Sequence, residues 1–239
     1  MSRADWQFAV GVLLALIFGI PSIPLFAKGN TALGVLTLLL AIIILGLTVY
    51  FSSLLRLPPY TVLEHHSHIE VLDASGREAR VRKTIVLRPN HRGQKYFTHR
   101  DISSDGTDIT FTVDPAVAIV KQSKSAGDYH VTIEFPHLLR RMRAAPATWL
   151  EMTCTGAFTK NLESVTLQVD QPLKRATIEI VLPHQRPPNL DSVKLVYRYS
   201  GNEEEQAKPE VNGNRIRWER RAKWFRSLRF GEYEISWRW

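Results

Sequence analysis

Two apolar runs, Phe8 to Phe26 and Thr31 to Leu55, are 19 and 25 residues long, carry no charged side chain, and are separated only by Ala27-Lys28-Gly29-Asn30. Nothing else in the chain restricts its fold as strongly. At 1.5 Å per residue the first run makes about 28 Å of helix, close to the thickness of a bilayer's hydrocarbon core. The second is long enough to span with tilt. Gly29-Asn30 is turn chemistry, and four residues suffice to join antiparallel helices. The pattern predicts a transmembrane hairpin with helices over about 8–26 and 31–55, the first kinked or ended near its far end by Pro21 and Pro24. A soluble helical hairpin would have to bury both runs. A cleaved signal peptide would place Leu25 and Ala27 at the −3 and −1 sites, and Leu is too large at −3.

Both outer ends of such a hairpin lie on one side of the membrane, where Trp6 and Tyr50-Phe51 suit an aromatic belt. Arg3 and Arg56 fall on that side and Lys28 on the other, a thin positive-inside bias toward a cytoplasmic carboxyl domain. Cys154 is the only cysteine, so no intrachain disulfide forms, which fits a reducing compartment.

Small residues recur on one face of each helix. In the first these are Gly11, Ala15, Gly19 and Ser22; in the second, Gly34, Thr37, Ala41, Thr48 and Ser52. Such stripes let membrane helices approach closely. Two arrangements are open. The stripes can face each other and close the hairpin, or at least one can face another copy, with Thr37, Thr48 and Ser52 lining a pore or wet seam between copies. Neither span holds an acidic or basic residue, which argues against a proton-coupled transporter.

Residues 56–239 are different in kind, with 29 Lys and Arg against 22 Asp and Glu. That balance favours anionic partners: nucleotides, nucleic acid or a charged leaflet. After the stiff exit Leu57-Pro58-Pro59, alternation of period two recurs at Ile69/Val71, Ile109/Phe111/Val113, Tyr129/Val131/Ile133/Phe135, Val165/Leu167/Val169, Ile178/Ile180/Leu182, Val193/Leu195/Tyr197 and Tyr233/Ile235/Trp237/Trp239. Turns of Gly, Asp and Pro divide these runs. About ten to twelve short strands are expected, forming an antiparallel sandwich or barrel. "FPHLLRRMRAA" (135–145) is the best helical candidate in this part, and the polar stretch 200–211 reads as a loop. The fold class is therefore an N-terminal two-helix transmembrane hairpin (1–55) and a mainly-β C-terminal domain (56–239).

No catalytic signature is present. There is no phosphate-binding loop ending in Gly-Lys-Ser/Thr, no Gly-x-Ser-x-Gly elbow and no His-Glu-x-x-His. His99-Arg100-Asp101 copies three letters of a kinase loop without its companions. "SSDGTD" is a turn without calcium-loop spacing. Cys154 stands in an apolar strand context and reads as core. In "EHHSHIE" (64–70), Glu64, His66, His68 and Glu70 share one strand face, and two imidazoles suit zinc. One strand cannot wrap four ligands around an ion, and no second cluster along the chain completes a site. The segment reads as a hydrated strand face, with no metal and no cofactor assigned.

"RIRWERRAKWFRSLRF" (215–230) has seven basic residues in sixteen. Arg215, Arg217, Arg220, Arg221, Lys223 and Arg226 offer forks and point charges to phosphate oxygens, and Trp218 and Trp224 offer faces for stacking. Arg140, Arg141 and Arg143 form a second basic cluster. The same composition suits anionic headgroups, or a solvated strand whose aromatics enter the core.

In layout, the hairpin "FAVGVLLALIFGIPSIPLF…TALGVLTLLLAIIILGLTVYFSSLL" and the strand-rich tail resemble the two-transmembrane, β-strand-rich effectors of bacterial anti-phage systems that use nucleotide second messengers, such as CBASS. The resemblance implies a multi-pass protein of the bacterial inner membrane with a cytoplasmic β domain. That domain would sense a cyclic or short oligonucleotide, and homo-oligomers assembled through the hairpins would permeabilise the membrane without enzymatic activity. It transfers no binding residues. The alternative expectation is a plain anchor carrying a β-sandwich scaffold or adhesion module for a protein partner.

Overall fold

The computed structural model describes residues 3–20, 22–102, 105–125, 128–223 and 226–239. The chain forms two units, Met1–Leu57 and Pro58–Trp239.

The first unit contains α1 (Arg3–Gly19), the short α2 (Ser22–Ala27) and α3 (Thr31–Arg56). The first apolar run is thus divided where prolines were expected to act, although Pro21 itself lies outside the described residues. The Ser22 hydroxyl donates to the Gly19 carbonyl (2.6 Å) and satisfies one of the acceptors left free at the helix end. Gly29 makes the turn into α3 at φ +78°, a conformation that suits glycine. Phe8–Leu25 and Thr31–Tyr50 have mean hydropathies of 2.3 and 2.8, long and apolar enough to cross a membrane. Leu13, Ile17, Leu36 and Ile43 are each more than half exposed around the helices.

The two small-residue stripes face each other. Gly11, Ser22, Gly34 and Ala41 are buried, and Ala15, Gly19, Thr37 and Thr48 are half-buried, whereas most other positions along both helices are exposed. A methyl group added at Gly11 would overlap the Thr48 side chain, and one at Gly19 would lie 3.6 Å from Ala41 Cβ. Thr48 donates its hydroxyl back to the Ile44 carbonyl (2.7 Å), and Thr37 to the carbonyls of Gly34 (3.0 Å) and Leu33 (3.1 Å). Each hydroxyl is therefore satisfied within its own helix. The side chain of Ser52 lies outside the described part.

The second unit contains β1 (Tyr60–Val71), β2 (Glu78–Pro89), β3 (Tyr96–Ile102), β4 (Thr107–Val113), β5 (Ala118–Ser125), β6 (Asp128–Glu134), β7 (Thr148–Thr155), β8 (Leu162–Val169), β9 (Leu173–Val181), β10 (Lys194–Tyr199), β11 (Asn202–Glu205), β12 (Glu210–Asn212), β13 (Arg215–Arg221) and β14 (Gly231–Arg238). They build a seven-stranded sheet ordered β12-β13-β9-β1-β2-β7-β4, a four-stranded sheet β11-β10-β14-β8 and a three-stranded sheet β3-β6-β5. The result is a sandwich of several sheets with no closed barrel. β1 and β9 pair in parallel; the other ladders among the described strands are antiparallel.

Alternation decides which side of each strand enters the core. From β7, Leu150, Met152 and Cys154 point inward, and from β9, Ala176, Ile178 and Ile180 do so. The smaller sheets cover this face. Trp218 of β13 meets Tyr233 of β14 (5.1 Å), Phe111 of β4 meets Tyr129 of β6 (5.5 Å), and Tyr60 of β1 meets Phe97 of β3 (5.7 Å). Each aromatic pair adds about 0.5–1.5 kcal/mol to what its burial contributes.

Two local expectations differ from the structure. Residues 135–145 form turns rather than a helix, because their backbone is committed elsewhere. The amides of Leu139, Met142 and Ala145 donate to the carbonyls of Gln94, Pro89 and Leu87, and Met142 adopts φ +59°. The polar stretch 200–211 is not all loop, since its residues enter β11 and β12. A sheet-edge strand needs ladder partners, not an apolar face.

Candidate functional site

β13 alternates so that Arg215, Arg217, Glu219 and Arg221 face outward and Ile216 and Trp218 face the core. Trp218 is 8% exposed, with its ring against Tyr233. The stacking surface expected of it is therefore spent inside the sandwich, because period two places it with Ile216. Trp224 lies outside the described residues.

The outward cations are largely neutralised. Arg215 reaches Glu179 (3.0 Å), Arg217 reaches Glu219 (3.2 Å) and Arg229 reaches Glu204 (2.8 Å). The Arg220 guanidinium donates to Gln206 (2.8 Å) and lies 5.9 Å from the Tyr233 ring centroid. Among the described residues, Arg221, Lys223 and Arg226 are exposed and have no acidic partner within reach.

Arg140, Arg141 and Arg143 are also exposed; Arg141 donates through Nε to the Asn90 carbonyl (3.0 Å). The part of the first basic segment from Arg221 onward and the second basic segment lie at the same end of the seven-stranded sheet, whereas Arg215 is opposite Val181 at the other end. Arg221 is opposite Arg175 near the start of β9, and Leu173 at that start is opposite Val62 of β1. Tyr60 at the start of β1 is opposite Pro89, to which the Met142 amide donates. The chain enters the domain at this end: the Asn90 side chain donates to the Pro58 carbonyl (2.8 Å).

The outward face of the large sheet is polar and ordered in rows. Arg217, Glu179, His68, Arg82 and Glu151 stand in register across β13, β9, β1, β2 and β7. A bulge between Val62 and Glu64 sets the parity of β1, so that Glu64, His66, His68 and Glu70 join this face while Ser67 and Ile69 enter the core.

His68 Nδ1 lies 2.9 Å from Glu179 Oε2, and His66 Nε2 lies 3.8 Å from the same oxygen. Arg215 holds the other carboxylate oxygen. Burial would raise the Glu179 pKa, but the bond from His68 and the Arg215 charge outweigh it and hold the carboxyl below its usual range. Burial also dominates at His66 and lowers its pKa; Glu179 opposes, while His68, Arg217 and Arg175 reinforce the shift. His66 Nε2 is shielded from solvent without a hydrogen-bond partner.

A recess of about 250 Å³ adjoins these groups, bounded by Glu64, Arg175, Thr177 and Arg217. In chemical terms the arrangement offers two imidazoles and a carboxylate converging beside a polar hollow. Glu179 is the member that reasoning along the sequence misses. It stands in "TIEIV", an unremarkable alternating strand, and meets the histidines only through the parallel pairing of β9 with β1.

No family model matches the sequence, and no curated protein matches it. Among solved structures, it is similar to an M1 zinc metallopeptidase from Deinococcus radiodurans, at 11% identity over 75% of this chain and 42% of that one, with a TM-score of 0.38. It is also similar to yeast LTA4 hydrolase in complex with bestatin, at 14% identity over 75% of this chain and 28% of that one, with a TM-score of 0.39. The chain thus spans less than half the length of either structure. Likenesses at these scores carry no argument about activity.

Proposed function

We propose that this protein is a membrane-anchored β-sandwich module that acts by binding, not by catalysis, and that its hairpin is an anchor rather than a pore-forming element. The observation that carries this reading is the pairing of the two small-residue stripes. Gly11 is occupied by Thr48 and Gly19 approaches Ala41, so the faces that would recruit another copy are used to close the hairpin. The hydroxyls that would line a wet seam are bonded to their own helices.

The basic end of the β domain supports the same reading. Arg140, Arg143, Arg221, Lys223 and Arg226 are exposed toward the end of the β domain that holds its first residues, Pro58 to Tyr60. Exposed cations without acidic partners suit the anionic headgroups of a leaflet, each such residue contributing about 1 kcal/mol when near the surface. From the bias of Arg3 and Arg56 over Lys28 along the sequence, the location proposed is the cytoplasmic face of a bacterial inner membrane.

The test is expression in bacteria with membrane potential and dye entry followed, for the full chain and for a version whose residues 1–55 are replaced by an unrelated two-span anchor. Candidate cyclic and short oligonucleotides are supplied to both. Intact potential in both, with the purified full chain monomeric in micelles, is the expected result. Depolarisation by the full chain alone, abolished by Ala15→Leu and Ala41→Leu, would instead establish the nucleotide-triggered, oligomerising effector.

A further inference from the structure

We propose that His66, His68 and Glu179 form a site for one divalent transition-metal ion of the zinc class, with an open coordination position facing the adjoining recess. The site is independent of whether the hairpin is an anchor or a pore.

The three donor atoms already lie within 4.8 Å of one another. Tetrahedral zinc with ligands at about 2.1 Å separates its donors by about 3.4 Å. The observed spacings of 2.9 Å and 3.8 Å to Glu179 Oε2 bracket that value, and small side-chain rotations close the rest. Ligands two apart on one strand, joined by one from the paired strand, rest on a rigid ladder, so little order has to be created on binding.

Three further features fit. Arg215 bonds the second oxygen of Glu179 at 3.0 Å and fixes its orientation, the outer-shell role that tunes metal ligands. His66 Nε2, shielded and unpartnered, gains in a metal bond the partner it lacks. Imidazole and carboxylate donors without thiolate suit zinc and its first-row neighbours rather than calcium or magnesium. Three protein ligands leave a fourth position for water or an anion, and Arg175, Arg217 and Thr177 line the hollow on that side.

The experiment uses the full chain in detergent micelles, stripped with chelator, then titrated with ZnCl2 by calorimetry and with CoCl2 by visible absorption. The wild type is expected to bind one zinc per chain and to give a cobalt spectrum of low-symmetry, four- or five-coordinate type. His66→Gln/His68→Gln is expected to lose more than the roughly 10–100-fold that removal of an outer partner costs, and Glu179→Gln to lose at least about 10-fold. His137→Gln and His184→Gln, at exposed imidazoles, keep wild-type binding. Thermal unfolding in the same samples confirms that each variant is folded, and zinc raises the transition temperature of the wild type but not of the double variant. Absence of stoichiometric binding by the wild type, or undiminished binding by a folded His66→Gln/His68→Gln protein, overturns the site.

Discussion

Replacing Trp218 with alanine tests whether this side chain supports the sandwich or serves a ligand. Its indole is 8% exposed and lies 5.1 Å from Tyr233, itself fully buried, so it joins the seven-stranded sheet to the four-stranded one. Truncation to alanine removes about 150 Å² of buried surface. At about 25 cal/mol per Å² that is about 4 kcal/mol, within the ~3–5 kcal/mol measured for large aromatic truncations in cores. For a domain of this size each kcal/mol shifts the transition by about 2–4 °C, so Trp218→Ala lowers Tm by about 10 °C or more. Trp218→Phe recovers over half of the loss.

The assay is urea unfolding of the full chain in micelles, followed by near-ultraviolet circular dichroism. A double-mutant cycle with Tyr233→Leu isolates a coupling of about 0.5–1.5 kcal/mol. A loss below about 1 kcal/mol with no coupling would refute the core assignment and return Trp218 to the surface.

Other outcomes are as specific. Gly11→Leu forces the helices apart at Thr48, whereas Gly46→Leu meets open space; engineered cysteine cross-linking between α1 and α3 falls for the first and not for the second. Asp73 accepts the amides of Glu78 (2.8 Å) and Ser75 (3.2 Å) at the β1–β2 turn. Burial is the largest single influence and raises its pKa, but the bonds from Glu78, from the Ser75 hydroxyl and amide and from Arg77 together outweigh it and lower the value. Its contribution is thus present above the ordinary Asp pKa and lost as pH falls through the folded value. Asp73→Ala costs about 1 kcal/mol at pH 7, and denaturation in acid finds the gap to wild type closed. Gly231 sits at φ +131° with the Arg198 carbonyl where a Cβ would be, so Gly231→Ala lowers the unfolding midpoint by an amount well above that of a surface Gly→Ala change.

Much of the architecture was legible because it rests on local periodicity. The turn at Gly29, the strands 128–134, 162–169 and 231–238, and the small-residue stripes all follow from spacing. Which way the stripes face did not, since an isolated helix has the same stripe whether its partner is its own hairpin mate or another copy. Residues 135–145 misled because apolar spacing suits a helix, while their amides are taken by carbonyls of the 87–94 segment.

The sequence by itself determined that the chain has two apolar helices long enough to cross a membrane, followed by a strand-rich part. Hydrophobic length and alternation are properties of a strand or helix considered alone, and transfer free energy follows them wherever the element docks. Only the tertiary structure decided that Trp218 is core, that Arg221 and the 140–143 cluster share one end of the large sheet, and that Glu179 meets His66 and His68. His68 and Glu179 are 111 residues apart, and neither strand pattern encodes the register that joins them. Pairing between distant strands is set by how the whole sandwich closes its core, so a site built across that pairing becomes visible only once the sheet is assembled.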